Sequence, residues 1–250
     1  MNEARVLLVT GGSRGIGASV CRRAGAAGWQ VAVNYVSNAE AAAAVVDDIR
    51  AAGGSAVAVQ GDVGSELGLA SIFSAVDGTF GRLDGLVNNA GIVALPQRVD
   101  EISAERLERM FAVNVIGSIR CAQEAVRRMS TRHGGQGGAI VNLSSMAALL
   151  GAAGQYVDYA ASKGAIESFT TGLAREVAAE GIRVNLVRPG IIDTDIHASG
   201  GLPERAREAA AAIPMQRPGT ADEVADAILY LLSDAASYVT GAALNVSGGR

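Results

Sequence analysis

Histidine is almost missing from this chain. His133 and His197 are the only two among 250 residues, which argues against any histidine-built metal centre. Cysteine is as scarce: Cys21 and Cys121 lie far apart with no CxxC, so two buried thiols in a reducing cytosol are expected rather than a disulfide. No stretch approaches the apolar length of a membrane span, and the four-residue run before Thr10 is too short for a secretory signal. The expectation is a cytoplasmic protein with no membrane partner. Bases are the minority, 21 against 25 acids, and a formal charge of −4 with a pI near 5.3 argues against nucleic acid as a partner. Neither a linker nor an internal repeat interrupts the chain, so one domain over 1–250 is expected.

What is plentiful is apolar side chain, 49% of residues, and glycine, 32 residues placed at the ends of apolar runs rather than in one tract. Such glycines serve turns and close backbone approaches. Strand-like runs at 6–9, 31–35, 56–60, 83–89, 139–145, 182–189 and 243–248 alternate with helical stretches near 15–27, 39–52, 66–80, 103–130, 155–179 and 221–232. Continuous apolar strands separated by helices predict parallel βαβ crossovers. The fold class is therefore α/β: a single doubly wound parallel sheet of about seven strands, with helices on both faces, of Rossmann type. One long interruption, 191–219, holds three of the five prolines and a double glycine. A loop of that size reads as a substrate-binding lid.

The first strand runs straight into "TGGSRGIGASV", 10–20, with Gly11, Gly15 and Gly17 where a strand turns tightly into a helix. Bare backbone there can approach a pyrophosphate, and a helix N-terminus directs unpaired N–H groups at its charge. The spacing is TGxxxGxG rather than GxGxxG. A plain glycine-rich turn is the competing reading, and the position after the first strand favours the cofactor. The end of the second strand offers Asn34, Tyr35 and Ser37, all neutral, where NAD sites place an acid against the ribose hydroxyls. Arg14 in the loop suits a 2′-phosphate, so NADP(H) is favoured over NAD(H). The alternative for Arg14 is a solvated loop residue.

"TGGSRGIG" (10–17), "GDV" (61–63), "NNAG" (88–91), "FAVNV" (111–115), "NLSS" (142–145), "YAASK" (159–163) and "RPGIIDT" (188–194) occur in an order and spacing that resemble the short-chain dehydrogenase/reductase family over essentially the whole chain. The resemblance implies a catalytic set of Asn114, Ser145, Tyr159 and Lys163. It implies cofactor contacts from the loop, Ser13 and Ile16 included, from Asp62 and Val63 at the adenine, and from Asn89, Ala90 and Gly91. Further contacts are implied from Pro189, Gly190, Ile192 and Thr194, and from Tyr159 and Lys163 themselves. Asn88 looks structural. Family members usually assemble as homotetramers, burying the helices near 103–130 and 155–179, and a homotetramer is expected.

Within "QYVDYAASKGA", 155–165, two tyrosines precede one lysine. Residues four apart share a helix face, so Tyr159 and Lys163 are neighbours, whereas Tyr156 lies two turns from Lys163. An adjacent ammonium is expected to bring the phenol of Tyr159 nearer the working range, making Tyr159 the acid/base and Lys163 its tuner. Ser145 would stabilise charge on the substrate oxygen, with Ser144 as its rival. Asn114 is expected at a helix kink, with water linking it to Lys163. These roles imply hydride transfer between a nicotinamide and a carbonyl or secondary alcohol of a small molecule. The chain also looks like 3-oxoacyl-[acyl-carrier-protein] reductases. Arg132 matches one of their partner-binding bases, but Glu180 stands at the other position and would repel an acidic carrier. A catalytically idle NADP-binding sensor on the same fold is the reading from another class. The substrate walls, 92–100, 147–156 and 191–219, carry no evident anchoring charge.

Overall fold

The computed structural model describes residues 4–196, 200–202 and 204–250; within the expected lid, 197–199 and 203 lie outside the described residues. Seven parallel strands are β1 (Val6–Val9), β2 (Gln30–Tyr35), β3 (Ser55–Gln60), β4 (Gly85–Asn88), β5 (Gly138–Leu143), β6 (Ile182–Pro189) and β7 (Ala243–Val246). Their spatial order is β3-β2-β1-β4-β5-β6-β7. The chain moves outward from β1 to β3, then crosses back to place β4 on the other side of β1. That reversal opens a crevice at the carboxyl ends of β1 and β4, where open α/β sheets bind ligands.

The helices sort onto the two faces by strand alternation. Leu7 and Val9 of β1 join one core with α1 (Gly15–Ala26), α2 (Ala39–Ala51) and α8 (Ala221–Leu232). Val6 and Leu8 join the other with α3 (Glu66–Phe80), α5 (Ser118–Met129) and α7 (Val157–Val177). The short α6 (Ala147–Leu150) follows β5 and leads toward α7. Side-chain caps fix several helix starts by accepting a bond from an otherwise unpaired N–H. Asn38, Ser65 and Ser103 cap α2, α3 and α4 (Ala104–Phe111), and Thr220 with Glu223 forms a capping box on α8. Among the described residues no helix is long and apolar enough to cross a membrane.

Two expected elements differ. The helix expected over 103–130 is α4 and α5 joined by a π-helical segment, Ala112–Gly117. One extra residue in that turn re-aims Asn114 without ending the helix, a device common at functional sites. The 191–219 segment is partly ordered into short helical turns at Arg205–Glu208 and Ala210–Ala212. It returns to the sheet through a bridge between Ile192 and Gly219.

Candidate active site

The glycine loop at the end of β1 is held by neighbours that use up their polar atoms. Gly11 and Gly15 adopt left-handed backbone (φ 62° and 53°), which glycine accepts without strain. Gly17 is required by proximity: a Cβ there would collide with the Gly11 carbonyl oxygen and lie 2.5 Å from Asn89 Nδ2. Asn89 Nδ2 donates to the carbonyls of Thr10 and Gly11, and Thr10 Oγ1 accepts the N–H groups of Asn89 and Ala90. Asn34 departs from the expected surface role. Its side chain is buried, accepts from Gly11 N at 3.1 Å and donates to the carbonyls of Val59 and Gly61. It supports the loop from below and also lines the groove over it.

A groove of about 1320 Å³ runs over this loop, lined by Ser13, Arg14, Gly15 and Ile16 on one side and by Tyr35, Ser37, Asp62, Val63, Ala90 and Gly91 on the other. Four arginines face it, and they differ in what they hold. Arg22 pairs with Asp48, Arg23 with Asp222 and Asp226, and Arg109 with Asp62 at 2.8 Å. Exposed Arg14 makes no ion pair among the described residues. The carboxylate of Asp62 also accepts the Gly64 N–H, so both its oxygens are engaged. Thr194 lies against Gly15 and closes the groove from the β6 side.

The groove continues into a cavity of about 180 Å³ whose walls include Ser145, Tyr156, Tyr159, Lys163, Pro189, Gly190 and Ile192. Alternation at the end of β5 separates the two serines. Ser144 is buried and donates to Glu167 Oε1 at 2.7 Å. Glu167 also receives a two-pronged bond from Arg188, so Ser144 belongs to a bracket joining α7 to β6. Ser145 accepts from Ala147 N and shares the cavity wall with Tyr159. Tyr156 stands at the N-cap of α7 and packs edge-on against Tyr159, ring centroids 5.7 Å apart, as a wall residue.

The expected tuning of Tyr159 is not what the site shows. Burial pushes the phenol up to about 12, opposed by the bond with Ser145 and reinforced by Tyr156. Lys163 Nζ lies 5.7 Å from the Tyr159 ring centroid and donates to the Leu143 carbonyl at 2.8 Å. Burial lowers its own pKa to about 8, because an ammonium loses hydration there. Asn114 faces the same region from the π-helical segment. Its amide exchanges both bonds with the backbone of Ile92 and donates to Ser162 Oγ, pinning the chain that follows β4. A Cβ on Gly91 would lie 3.5 Å from both Asn114 Oδ1 and Lys163 Nζ, so that glycine sits between the two.

Lys163 makes a stability prediction with a definite sign. Between pH 8 and 10.5 the folded protein has released a proton that the unfolded chain still holds, so stability rises with pH across that window. The gap corresponds to about 3 kcal/mol. Measured by denaturant titration from pH 7 to 10.5, wild-type stability is expected to gain on Lys163→Met by up to that amount. Parallel curves would refute a charged lysine held against burial.

Two groups absent from the expected set reach the site. Arg106 of α4 forms a buried two-pronged pair with Asp158, next to Tyr159, and also donates to Leu95 O and Gln97 Oε1. Arg250 lines the cavity from the far end of the sequence. Neither has a local signal, since only folding brings Arg106 to Asp158 or Arg250 to Tyr159. The expected contrast of Arg132 with Glu180 also changes meaning. The two lie 3.9 Å apart in one ion pair, where α5 and α7 lead into β5 and β6. That edge is a strand length, about 20 Å, from Ser145. It does not face the mouth of this chain's own cavity.

A family model described as enoyl-(acyl carrier protein) reductase matches residues 11–250. The chain is 52% identical over 245 residues to the uncharacterized oxidoreductase YgfF of Escherichia coli, covering 98% of this chain and 99% of that one. A short chain dehydrogenase from Burkholderia cenocepacia in complex with NADP superposes with a TM-score of 0.89 at 35% identity, covering 98% and 97% of the two chains. A 3-ketoacyl-(acyl-carrier-protein) reductase from Brucella melitensis complexed with NADH superposes with a TM-score of 0.91 at 31% identity, covering 100% and 99%.

Proposed function

The chain belongs to the short-chain dehydrogenase/reductase family of oxidoreductases, and on that premise we propose that it is an NADP(H)-dependent reductase of a small-molecule carbonyl, or dehydrogenase of the matching secondary alcohol. The observation that carries this reading is the meeting of Ser145, Tyr159 and Lys163 on the wall of one cavity that adjoins the glycine-loop groove. The groove suits a nicotinamide dinucleotide because the glycine loop lines it with Gly11, Ser13, Arg14, Gly15 and Ile16 at the N-terminus of α1, where unpaired N–H groups favour a pyrophosphate. The nucleotide supplies or accepts the hydride.

The chain's own residues do the rest. Ser145 and Tyr159 hold the carbonyl oxygen by hydrogen bonds that strengthen as charge develops on it. Tyr159 then gives its proton to that oxygen, or takes one from the alcohol. Lys163 and the loop from Pro189 to Thr194 would hold the nicotinamide end, Asp62 and Val63 the adenine end. Arg14, without an acid partner, supports a 2′-phosphate and hence NADP(H) over NAD(H). A homotetramer is part of the reading, supported by exposed Leu107 and Ile116 along the α4–α5 stretch.

Fluorescence titration with NADPH and NADH tests the cofactor assignment. NADPH is expected to bind at least about tenfold more tightly, and Arg14→Ala to remove most of the difference. Equal affinities would return the assignment to NAD(H). A 3-oxoacyl-carrier substrate is the second reading, supported by the likeness to the Brucella reductase and no longer opposed by Glu180. Consumption of NADPH against ketones, sugars and acyl thioesters separates the two. Tight NADPH binding with no turnover on that panel would favour the idle sensor.

A further inference from the structure

The cavity beside Tyr159 has one sign of charge. Among the described residues no aspartate or glutamate side chain lines it, although acids outnumber bases 25 to 21 in the whole sequence. Among the described residues its lining is apolar or neutral apart from two cations, Lys163 and Arg250. Lys163 is buried with its ammonium on the Leu143 carbonyl. Arg250 is exposed, and its guanidinium makes no ion pair among the described residues.

Its arrival at the cavity is built by the local chain. After β7, "SGGR" turns back through Gly248 and Gly249 at φ 64° and 92°, conformations a side chain would strain. The turn is held at several points. Met215 N donates to the Gly248 carbonyl, Arg250 N donates to Ser247 O, and Ser247 Oγ donates to Arg250 O. Ser247 also packs directly on Gly190, a wall of the cavity. Residue 250 is thus carried back to the cavity wall by a defined turn.

We propose that Arg250 is a specificity-determining cation, and that the physiological substrate is an oxo acid whose carboxylate pairs with its guanidinium while its carbonyl lies at Ser145 and Tyr159. This rests on the reductase reading above. A planar guanidinium matches a carboxylate in two-pronged geometry, and among the described residues no aspartate or glutamate side chain on the wall competes for it. In the reducing direction the carbonyl carbon gains hydride from the nucleotide and the oxygen gains the Tyr159 proton, giving a hydroxy acid.

The test is binding to the full chain saturated with NADP⁺, by isothermal titration calorimetry. The probes are straight-chain 2-, 3- and 4-oxo acids, each against its own primary amide. At least one acid is expected to bind at least about tenfold more tightly than its amide. Arg250→Ala should bring that pair to within about twofold, and Arg250→Lys should keep part of the preference. Acids and amides binding alike, a preference that survives Arg250→Ala, or no acid binding up to about 10 mM would each overturn the proposal. Binding and turnover fail separately. An Arg250-dependent acid preference without NADPH consumption would sink the reductase reading and leave the anion site. Consumption with neutral ketones, indifferent to Arg250, would do the reverse.

Discussion

Tyr159→Phe is expected to lower carbonyl reduction by roughly 10²- to 10⁴-fold, the range for removing a positioned acid/base, while leaving NADPH affinity within a few-fold. The phenol is raised by burial to about 12, so it stays protonated throughout the neutral range and is ready to donate. Its loss should cost the fold little. Ser145 Oγ keeps the Ala147 N–H, and one side-chain hydrogen bond is worth about 1 kcal/mol. Unchanged thermal unfolding beside lost turnover therefore assigns the effect to chemistry. The same raised pKa gives the two directions different pH profiles. Alcohol oxidation needs the phenolate and should climb about tenfold per pH unit on the alkaline side, while reduction should stay flat across neutrality. A Tyr159→Phe variant that still reduces at near wild-type rate would remove Tyr159 from the mechanism.

Arg106→Met is expected to be the most destabilising single change at the site, by about 3–5 kcal/mol. The side chains of Arg106 and Asp158 are only 12% and 1% exposed, so removing the guanidinium strands a carboxylate out of water. Asp158 lies in the first turn of α7, directly before Tyr159. The same guanidinium holds Leu95 O and Gln97 Oε1, while Gln97 N donates to Gln155 O. It thus fastens the 95–97 segment, which follows cavity residue Val93, to the start of α7. The double change Arg106→Met/Asp158→Asn should recover much of the stability by removing the stranded charge. It leaves the segment unfastened, so substrate KM is expected to stay raised. Urea titration reads the first effect and steady-state kinetics the second. A double variant no more stable than Arg106→Met would show that the buried charge is not the cause.

The sheet was legible because its signals are local. Apolar runs such as 6–9 and 182–189 must be strands, and Thr220 with Glu223 marks the start of α8 where the helical pattern begins. A break in helix geometry at Asn114 was legible, since asparagine is a poor helix former between apolar Val113 and Val115, but its form as a π-helical segment was not. The choice of Ser145 over Ser144 rests on resemblance, and the bond from Ser144 to Glu167, which depends on packing, could not be read from the sequence. The shift of Tyr159 was expected with the wrong sign. Sequence puts Lys163 four residues away, but burial and the direction of Nζ toward Leu143 are properties of packing. Asn34 shows the same limit: its neutrality was readable, its inward rotamer was not.

The strand order has a consequence for the timing of synthesis. A chain emerging from its N-terminus can pair β1, β2, β3 and β4 into a contiguous half-sheet before β5 exists, since β1 lies between β2 and β4. The glycine loop and the part of the groove lined by Tyr35, Asp62 and Val63 belong to that half. The cavity beside Tyr159 needs β5, the segment from Pro189 to Ile196, and finally the turn after β7 that delivers Arg250. The part of the site that recognises a nucleotide can therefore assemble on a growing chain, while the part that would recognise a substrate waits until β7 and its turn have been made.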